Sequence, residues 1–530
     1  MSASEPDVRT AAATLTKRRR DAVLAVVCLA LMLVVASLAM VYVALPAIAV
    51  DVSASQSQLV WVAEGYGLFL AALLLPAGAL GDRYGRRPAL LGGIGLFALA
   101  SAASALATSA TSLIAARAAA GAGAALIMPG TLATITTVFP EEERARAVGV
   151  WAGFTGAGAV VGIVMAGALL EAFWWGSIFV AAAGLAIVAF VATAAVVPPT
   201  RSPDHAHLDP LGSLLSFAAI GGFVVAVIEG PDRGWTGPAP LAGLALALFA
   251  TAAFVAWERR SSAPLLDPSL FRSRGFATGT VSLVVLFLAI YGFFFLVLQY
   301  LQLVLGYATL SSSLRLLPLV AVMLPLATVA AGMSQRLGMR VVTASGLVVG
   351  AAGFLMLATV DAHAGYGPVL PGLVLVGAGV ALAMTPATNA IVTALPLEKQ
   401  GVASAVNDAA RQIGAALGVA ILGSAFNTGY RHAVSATARN LPAPARTAVR
   451  HSPAAALRLA SHLGPDSHRV ITATRQAFMT GMHWSLSAGT ALLILGAIYT
   501  ATRAPGPAAD TQPDPAIPLA ATAPRPTSSG

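Results

Sequence analysis

The chain has 530 residues, 57% of them apolar and only 10% charged, with a net charge of +9 and a mean hydropathy of +0.81. Soluble domains carry roughly 25% charged residues, so a globular soluble protein is excluded and a polytopic membrane protein is expected. One cysteine, Cys28, excludes an internal disulfide and a thiolate metal cluster, and the eight histidines show no zinc spacing.

The first apolar run, from about Ala22 to Ala44, follows Lys17-Arg18-Arg19-Arg20. Its start resembles a signal peptide. Its length, near the ~20 residues that span a bilayer, and the many runs after it favour a retained first helix. Fourteen apolar windows of this size start near residues 22, 58, 88, 111, 146, 174, 210, 239, 276, 311, 341, 367, 402 and 479. Backbone groups in lipid must bond within their own segment, and no alternating barrel strands are visible, so the fold class is an all-α membrane protein.

An even number of spans puts both termini on one side. With the N-terminal segment 1–21 in the cytoplasm, Arg83/Arg86/Arg87, Arg144/Arg146, Arg201, Arg259/Arg260/Arg272/Arg274, Arg336/Arg340 and Lys399 all fall inside, and short outer loops hold only Arg233. That is the positive-inside pattern. A long segment, about 428–478, falls outside with seven arginines; long segments translocate largely regardless of charge. Residues 503–530, rich in Pro, Ala and Thr, read as a disordered cytoplasmic tail. Because most bases sit in short loops, the net charge calls for no nucleic acid. Neither lysine follows a glycine-rich phosphate loop, so the chain carries no ATPase. No catalytic, metal or cofactor site is expected, and uphill work must come from an ion gradient or a separate partner.

Between the second and third runs stands "GALGDRYGRRPALLGG", residues 78–93. Gly78, Gly81 and Gly85 remove side chains where helix ends approach closely. Asp82 lies among Arg83, Arg86 and Arg87, which can pair with it or sit against lipid phosphates. Further on, "GAGAALIMPGTLATITTVFPEEERARAVG" from Gly121 is echoed by "GAGVALAMTPATNAIVTALPLEKQGVASA" from Gly377, at an offset of 256. "DRYGRR" from Asp82 is echoed by "QRLGMR" from Gln335 at nearly the same offset. Two ordered echoes make the first and last six helices copies, with two helices inserted between. Facing six-helix repeats are the plan of rocking transporters, with the substrate site at the repeat interface near mid-membrane. The expected divisions are 22–200 for the first bundle, 201–260 for the inserted pair and 261–502 for the second bundle.

With these motifs the chain resembles the major facilitator superfamily. "GALGDRYGRRPAL" is similar to the loop between helices 2 and 3, and "RAAAGAGAALIMP" from Arg117 to the helix 4 motif. Fourteen helices, "WERRSSAPLLDPSLF", "YLQLVLGY" and "GVASAVNDAARQIGAALGVAILGS" resemble the fourteen-helix drug:proton antiporter branch, over about residues 22–500. The chain departs from that branch at Ser37 and Tyr42, where an acid and an asparagine are usual, and at Ile163 and Ala166 in the helix 5 motif. The resemblance implies a plasma-membrane, monomeric exporter of drugs, antibiotics or other amphiphilic small molecules that exchanges them for protons. It also implies that helix 2 neighbours helix 13. Asp82 then faces the positive helix N-terminus near Gly401 and latches the cytoplasmic ends together.

Four charged residues within spans are candidates for proton coupling or the substrate cavity. Glu64 lies about two turns into helix 2, where a carboxylate costs roughly 2.5–3.5 kcal/mol on insertion scales. It can serve as proton carrier, contact cationic substrates, or snorkel to the outer interface. Arg117, whose repeat counterpart is Leu373, faces the cavity by resemblance, or else anchors the interface. Asp408 and Arg411 are three apart on helix 13 and share a face. Gly158, Gly162, Ala166 and Gly167 mark a tight helix 5 seam expected to join the two halves. Trp174, Trp175 and Trp235 fall at outer helix ends, as in an interfacial belt. Against the exporter stand a proton-coupled importer or metabolite exporter on the same fold, and a non-transporting sensor or assembly subunit. No extra folded domain suits the sensor, and no filter suits a channel.

Overall fold

A computed structural model describes residues 16–199, 209–261, 268–362, 364–394, 400–439, 446, 449–450, 452–460 and 467–506. The helices are α1 (Lys17–Asp51), α2 (Gln56–Tyr84), α3 (Arg86–Ala105), α4 (Ala110–Val138), α5 (Glu141–Ala172), α6 (Ser177–Val196), α7 (Pro210–Arg233), α8 (Pro238–Glu258) and α9 (Arg274–Gln299). A π-helical turn, Tyr300–Val304, prolongs α9, and a short helix, Thr309–Leu314, follows. Leu317–Ala358 breaks at Gly338, giving α10 (317–337) and α11 (339–358). α12 (Val369–Thr393), α13 (Gln400–Arg439) and α14 (Ser467–Arg503) complete the set.

Twelve stretches among the described residues are long and apolar enough to cross a membrane. One of them, Thr309–Ala358, makes two passes because it turns at Gly338. α5, with 32 residues, supplies the remaining pass. Fourteen passes result, in the expected order.

Local chemistry sets the ends. Ser55 and Gln58 form a capping box at the start of α2, as do Ser109 and Ser112 at α4. Asp209 caps α7 through the Gly212 N–H at 2.8 Å and accepts from the Trp257 indole at 2.9 Å, fastening the start of α7 to the end of α8. The loops at residue 85 and residue 338 lie at one end of the bundle, its basic end, and the opposite end is the far end.

The internal repeat is visible in the packing. Gly85 and Gly338, at matching places in the echo, both have left-handed backbone, with φ of 108° and 79°. The next arginines match as well. Arg87 donates to the Ala194 carbonyl at the end of α6, and Arg340 to the Ala501 carbonyl at the end of α14. In the helix 4 echo, a Cβ on Gly121 would run into the Tyr66 carbonyl of α2, and one on Gly377 into the Leu319 carbonyl of α10. The same residues therefore make the same helix crossings twice.

Between the bundles, α2 packs on α13, α5 on the helix Thr309–Leu314, and α1 on α9. α7 touches both α2 and α13. Toward the basic end, α1–α4 and α6 have an apolar core of their own. Toward the far end, one continuous core runs from α1, α2 and α4–α6 through α7 into the second bundle.

The segment expected as a long outer loop, 428–478, differs. α13 continues to Arg439, α14 begins at Ser467, and Pro453–Ala460 is a further helix. These ends are held by apolar contact beyond the span: Phe426 meets Phe478 edge-on at 4.8 Å, and the Tyr430 hydroxyl donates to the Val449 carbonyl at 2.7 Å. The expected tail beyond residue 506 and the segment 1–15 lie outside the described residues.

Candidate functional site

Glu64 is eight residues past the start of α2, roughly 12 Å along its axis, and is 1% exposed. It does not snorkel to the surface. The Tyr42 hydroxyl of α1 donates to its Oε1 at 3.0 Å. Arg117, in the second turn of α4, is also 1% exposed, so it is no interface anchor. Its Nη1 donates to the Ser37 hydroxyl and its Nε to the Val62 carbonyl, both at 3.3 Å. Its guanidinium lies 4.5 Å from the centre of the Tyr66 ring, and that ring is pinned by a 3.0 Å bond from its hydroxyl to the Val34 carbonyl. Nη2 has no hydrogen-bond partner among the described residues. Arg117 forms no ion pair there, but it is within electrostatic reach of Glu64. The two α1 residues at which the chain departs from the branch pattern, Ser37 and Tyr42, are thus the α1 partners of Arg117 and Glu64.

In the second bundle, Arg411 Nη1 lies 3.8 Å from Asp408 Oδ1, the pairing expected from their spacing. The Arg411 guanidinium sits 4.8 Å over the Phe287 ring of α9. Phe287 stacks on Tyr291, and Tyr291 meets Tyr42 edge-on at 6.2 Å. All four charged candidates are therefore strung along one path across the bundle interface, bridged by Tyr42, Tyr291 and Phe287. Tyr291 and Phe287 do not stand out in the sequence, where an aromatic residue in an apolar run looks like core.

Glu229 on α7 was also missed. It accepts from the Trp61 indole at 3.3 Å and pairs with Arg233 at 2.6 Å. Its place in "VIEGPDRGW" looks like the end of a loop; only the length of α7 brings it beside α2.

The loop glycines do less than expected. Cβ atoms on Gly78 and Gly81 would make ordinary contacts, 3.7 Å to Pro129 and 3.6 Å to Ala89. Only Gly85 has a conformational need. Arg86 and Arg87 reach onto carbonyls and a hydroxyl of the protein. Arg86 donates to the Ala133 carbonyl at 2.7 Å and to the Thr137 hydroxyl, so both arginines bind the last turns of neighbouring helices. Arg83 lies over the ring of Tyr84. The Asp82 side chain and residues 395–399 lie outside the described residues.

The helix 5 seam falls mostly within the first bundle. A Cβ on Gly162 would meet the Ala36 carbonyl of α1 at 2.6 Å, and Gly158 faces Met32 of the same helix. Ala166 is buried. Only Gly167 reaches the other bundle, against Leu310 and Ser313. Trp174 and Trp235 are exposed, as a belt requires. Trp175 is buried and donates to Asp51 Oδ2 at 2.8 Å.

The described hydrogen bonds between the bundles lie toward the far end. Gln302 Nε2 donates to the Val43 carbonyl at 3.1 Å, and Asn427 Nδ2 meets the Ser57 hydroxyl at 3.5 Å.

Residues 27–419 match the Major Facilitator Superfamily. The chain belongs to this superfamily. It is 37% identical to the multidrug resistance protein Stp of Mycobacterium tuberculosis, over 72% of this chain and 72% of that one. With the multidrug efflux pump LfrA of Mycolicibacterium smegmatis it shares 34% identity over 89% and 94%. With the tetracenomycin C resistance and export protein of Streptomyces glaucescens it shares 33% over 75% and 74%. Among solved structures, a bacterial homolog of the human lysosomal transporter Spinster has the same fold, with a TM-score of 0.67, 15% identity, and coverage of 93% and 100%. A major facilitator protein of this kind is a multi-pass membrane transporter of small molecules, not an enzyme.

Proposed function

We propose that the chain exports amphiphilic small molecules, such as drugs, antibiotics or toxic metabolites, in exchange for protons, as a monomer in the plasma membrane with both termini cytoplasmic. The observation that carries this reading is Glu64. A carboxylate buried between two repeats, held by one hydroxyl and within electrostatic reach of an arginine without an ion pair, is suited to taking and releasing a proton. The multidrug relatives favour a broad amphiphilic substrate. The basic loops favour the orientation, which puts the far end outside. The continuous core at that end then belongs to a state closed outside, in which cargo loads from the cytoplasm.

In the same reading, Arg117 answers the charge on Glu64, and Asp408 with Arg411 lines the other wall. The bundles, 22–200 and 261–502, rock against each other, with the inserted pair near 201–260 at their seam. In the outward-facing state Asp82 latches the cytoplasmic end of α2 to the start of α13. Asp82→Asn then loses about 0.3–2 kcal/mol of helix-terminus attraction, which lowers turnover while binding from the cytoplasm persists.

The test uses purified protein in proteoliposomes. Cargo should move under an imposed pH gradient or membrane potential without ATP. Movement that needs ATP and ignores the gradient overturns the reading.

A further inference from the structure

A cavity of about 400 Å³ opens at the far end, between the last turns of α1 and α5 and the π-helical turn after α9. That size falls within the roughly 300–1,000 Å³ of small-molecule sites. Both bundles build it. α1 contributes Val43, Ala47 and Asp51, the turn after α5 contributes Phe173 and Trp174, and the second bundle contributes Gln302 and Thr309. Because Gln302 also bonds Val43, the cavity exists while the far ends are together.

Its charges are unequal in mobility. Asp51 is fixed by the Trp175 indole on Oδ2. Its other oxygen, Oδ1, faces Arg458 Nη1 at 3.9 Å. Arg458 comes from the helix Pro453–Ala460, and its long side chain is 63% exposed. An exposed ion pair of this length is weak. The acid is therefore a fixed feature, and its long contact with Arg458 is one that a bound cation can replace. Beside them Phe173 and Trp174, both more than half exposed, offer ring faces to a cation.

We propose that this cavity is a second ligand site, for a flat aromatic cation, in which the Arg458 guanidinium keeps the cation's place until a ligand displaces it. An anion fits poorly, since the fixed charge is Asp51. A lipid ammonium carries the same charge but no flat ring to use the aromatic wall. The site lies on the outer side of the closed end, where cargo leaving the central path would pause. This inference rests on the export reading, but it fails on different measurements.

Ethidium, a flat fluorescent cation, is the probe, and the protein is held in bilayer discs of phosphatidylglycerol. A Glu64→Gln background weakens cation binding in the central path, and the changes made by variants at the far end, distant from that path, then report the far-end site. Asp51→Asn, which keeps the acceptor for Trp175, should weaken that binding about tenfold, and Trp174→Ala should weaken it severalfold. Arg458→Ala should tighten it about three- to tenfold by removing the competing cation. Unchanged affinity in all three variants overturns the proposal. So does full displacement of ethidium by phosphatidylethanolamine added to the disc, which would assign the cavity to lipid. Failure of gradient-driven export in the wild type would instead overturn the export reading and leave these affinities as they are.

Discussion

At the scale of single residues, the site is a problem of satisfying two buried charges. Glu64 has Tyr42, and Arg117 has Ser37, a carbonyl and a ring face. Glu64→Gln keeps an oxygen to accept from Tyr42, so thermal stability should hold while substrate-induced proton release is lost. A matched pair of a cationic and a neutral substrate, measured across pH, separates the roles. Loss of coupling for both marks the proton carrier; loss of affinity for the cation alone marks a substrate contact. Unchanged coupling for both would move the proton to Asp408. Ser37 gives a second prediction. Ser37→Ala strands a buried donor of Arg117, which costs about 1–3 kcal/mol, and should lower the melting temperature. Ser37→Asp supplies a carboxylate within reach and should raise it. The charges themselves were legible in the sequence, because an ionised group in an apolar run stands out. Their partners were not. Rings such as Tyr291 and Phe287 cost little to bury, so nothing in the chain marks them as different from core; Ser37 and Tyr42 stand out only against the family pattern.

At the scale of elements, the repeat separates glycines that are needed from glycines that are incidental. Gly85 and Gly338 take backbone angles that cost an L side chain roughly 1–2 kcal/mol, whereas Gly78 makes an ordinary contact. Gly85→Ala and Gly338→Ala should each lower the unfolding temperature of the purified protein, and Gly78→Ala should leave it nearly unchanged. A larger loss at Gly78 than at Gly85 would show that helix approach, not backbone conformation, selects glycine in this loop. The count and order of the helices were readable from apolar windows, since every span must satisfy its own backbone in lipid. Helix ends outside the lipid were less so. α13 and α14 run past their expected limits because Phe426, Tyr430 and Phe478 pack there, and contacts between distant segments leave no periodic trace. The small residues of α5 lie at close crossings, but spacing alone does not name the neighbour, which is α1 for Gly158 and Gly162 and the second bundle for Gly167.

At the scale of the whole molecule, the two repeats meet toward one end. A Cβ on Gly423 of α13 would lie 3.1 Å from Cγ2 of Val60 on α2. In a Cys28→Ala background, cysteines at 60 and 423 should therefore cross-link readily and stop transport, and reduction should restore it. Cross-linked protein with full turnover would show that this contact never opens. Topology is tested with single cysteines at Ser261 and Ser435. An impermeant reagent added outside should label the second and not the first; the reverse result inverts the orientation.

The inserted pair has a consequence for how greasy cargo arrives. α7 lies across the junction of α2 and α13, with Trp61 bound to Glu229 on one side and the Ser424 hydroxyl bound to the Val227 carbonyl on the other. A molecule dissolved in the bilayer meets a wall there. The opposite flank, where α5 packs on the helix Thr309–Leu314, has no such inserted helix across it, so the insertion makes the two lipid-facing flanks of a nearly symmetric duplicated protein unequal.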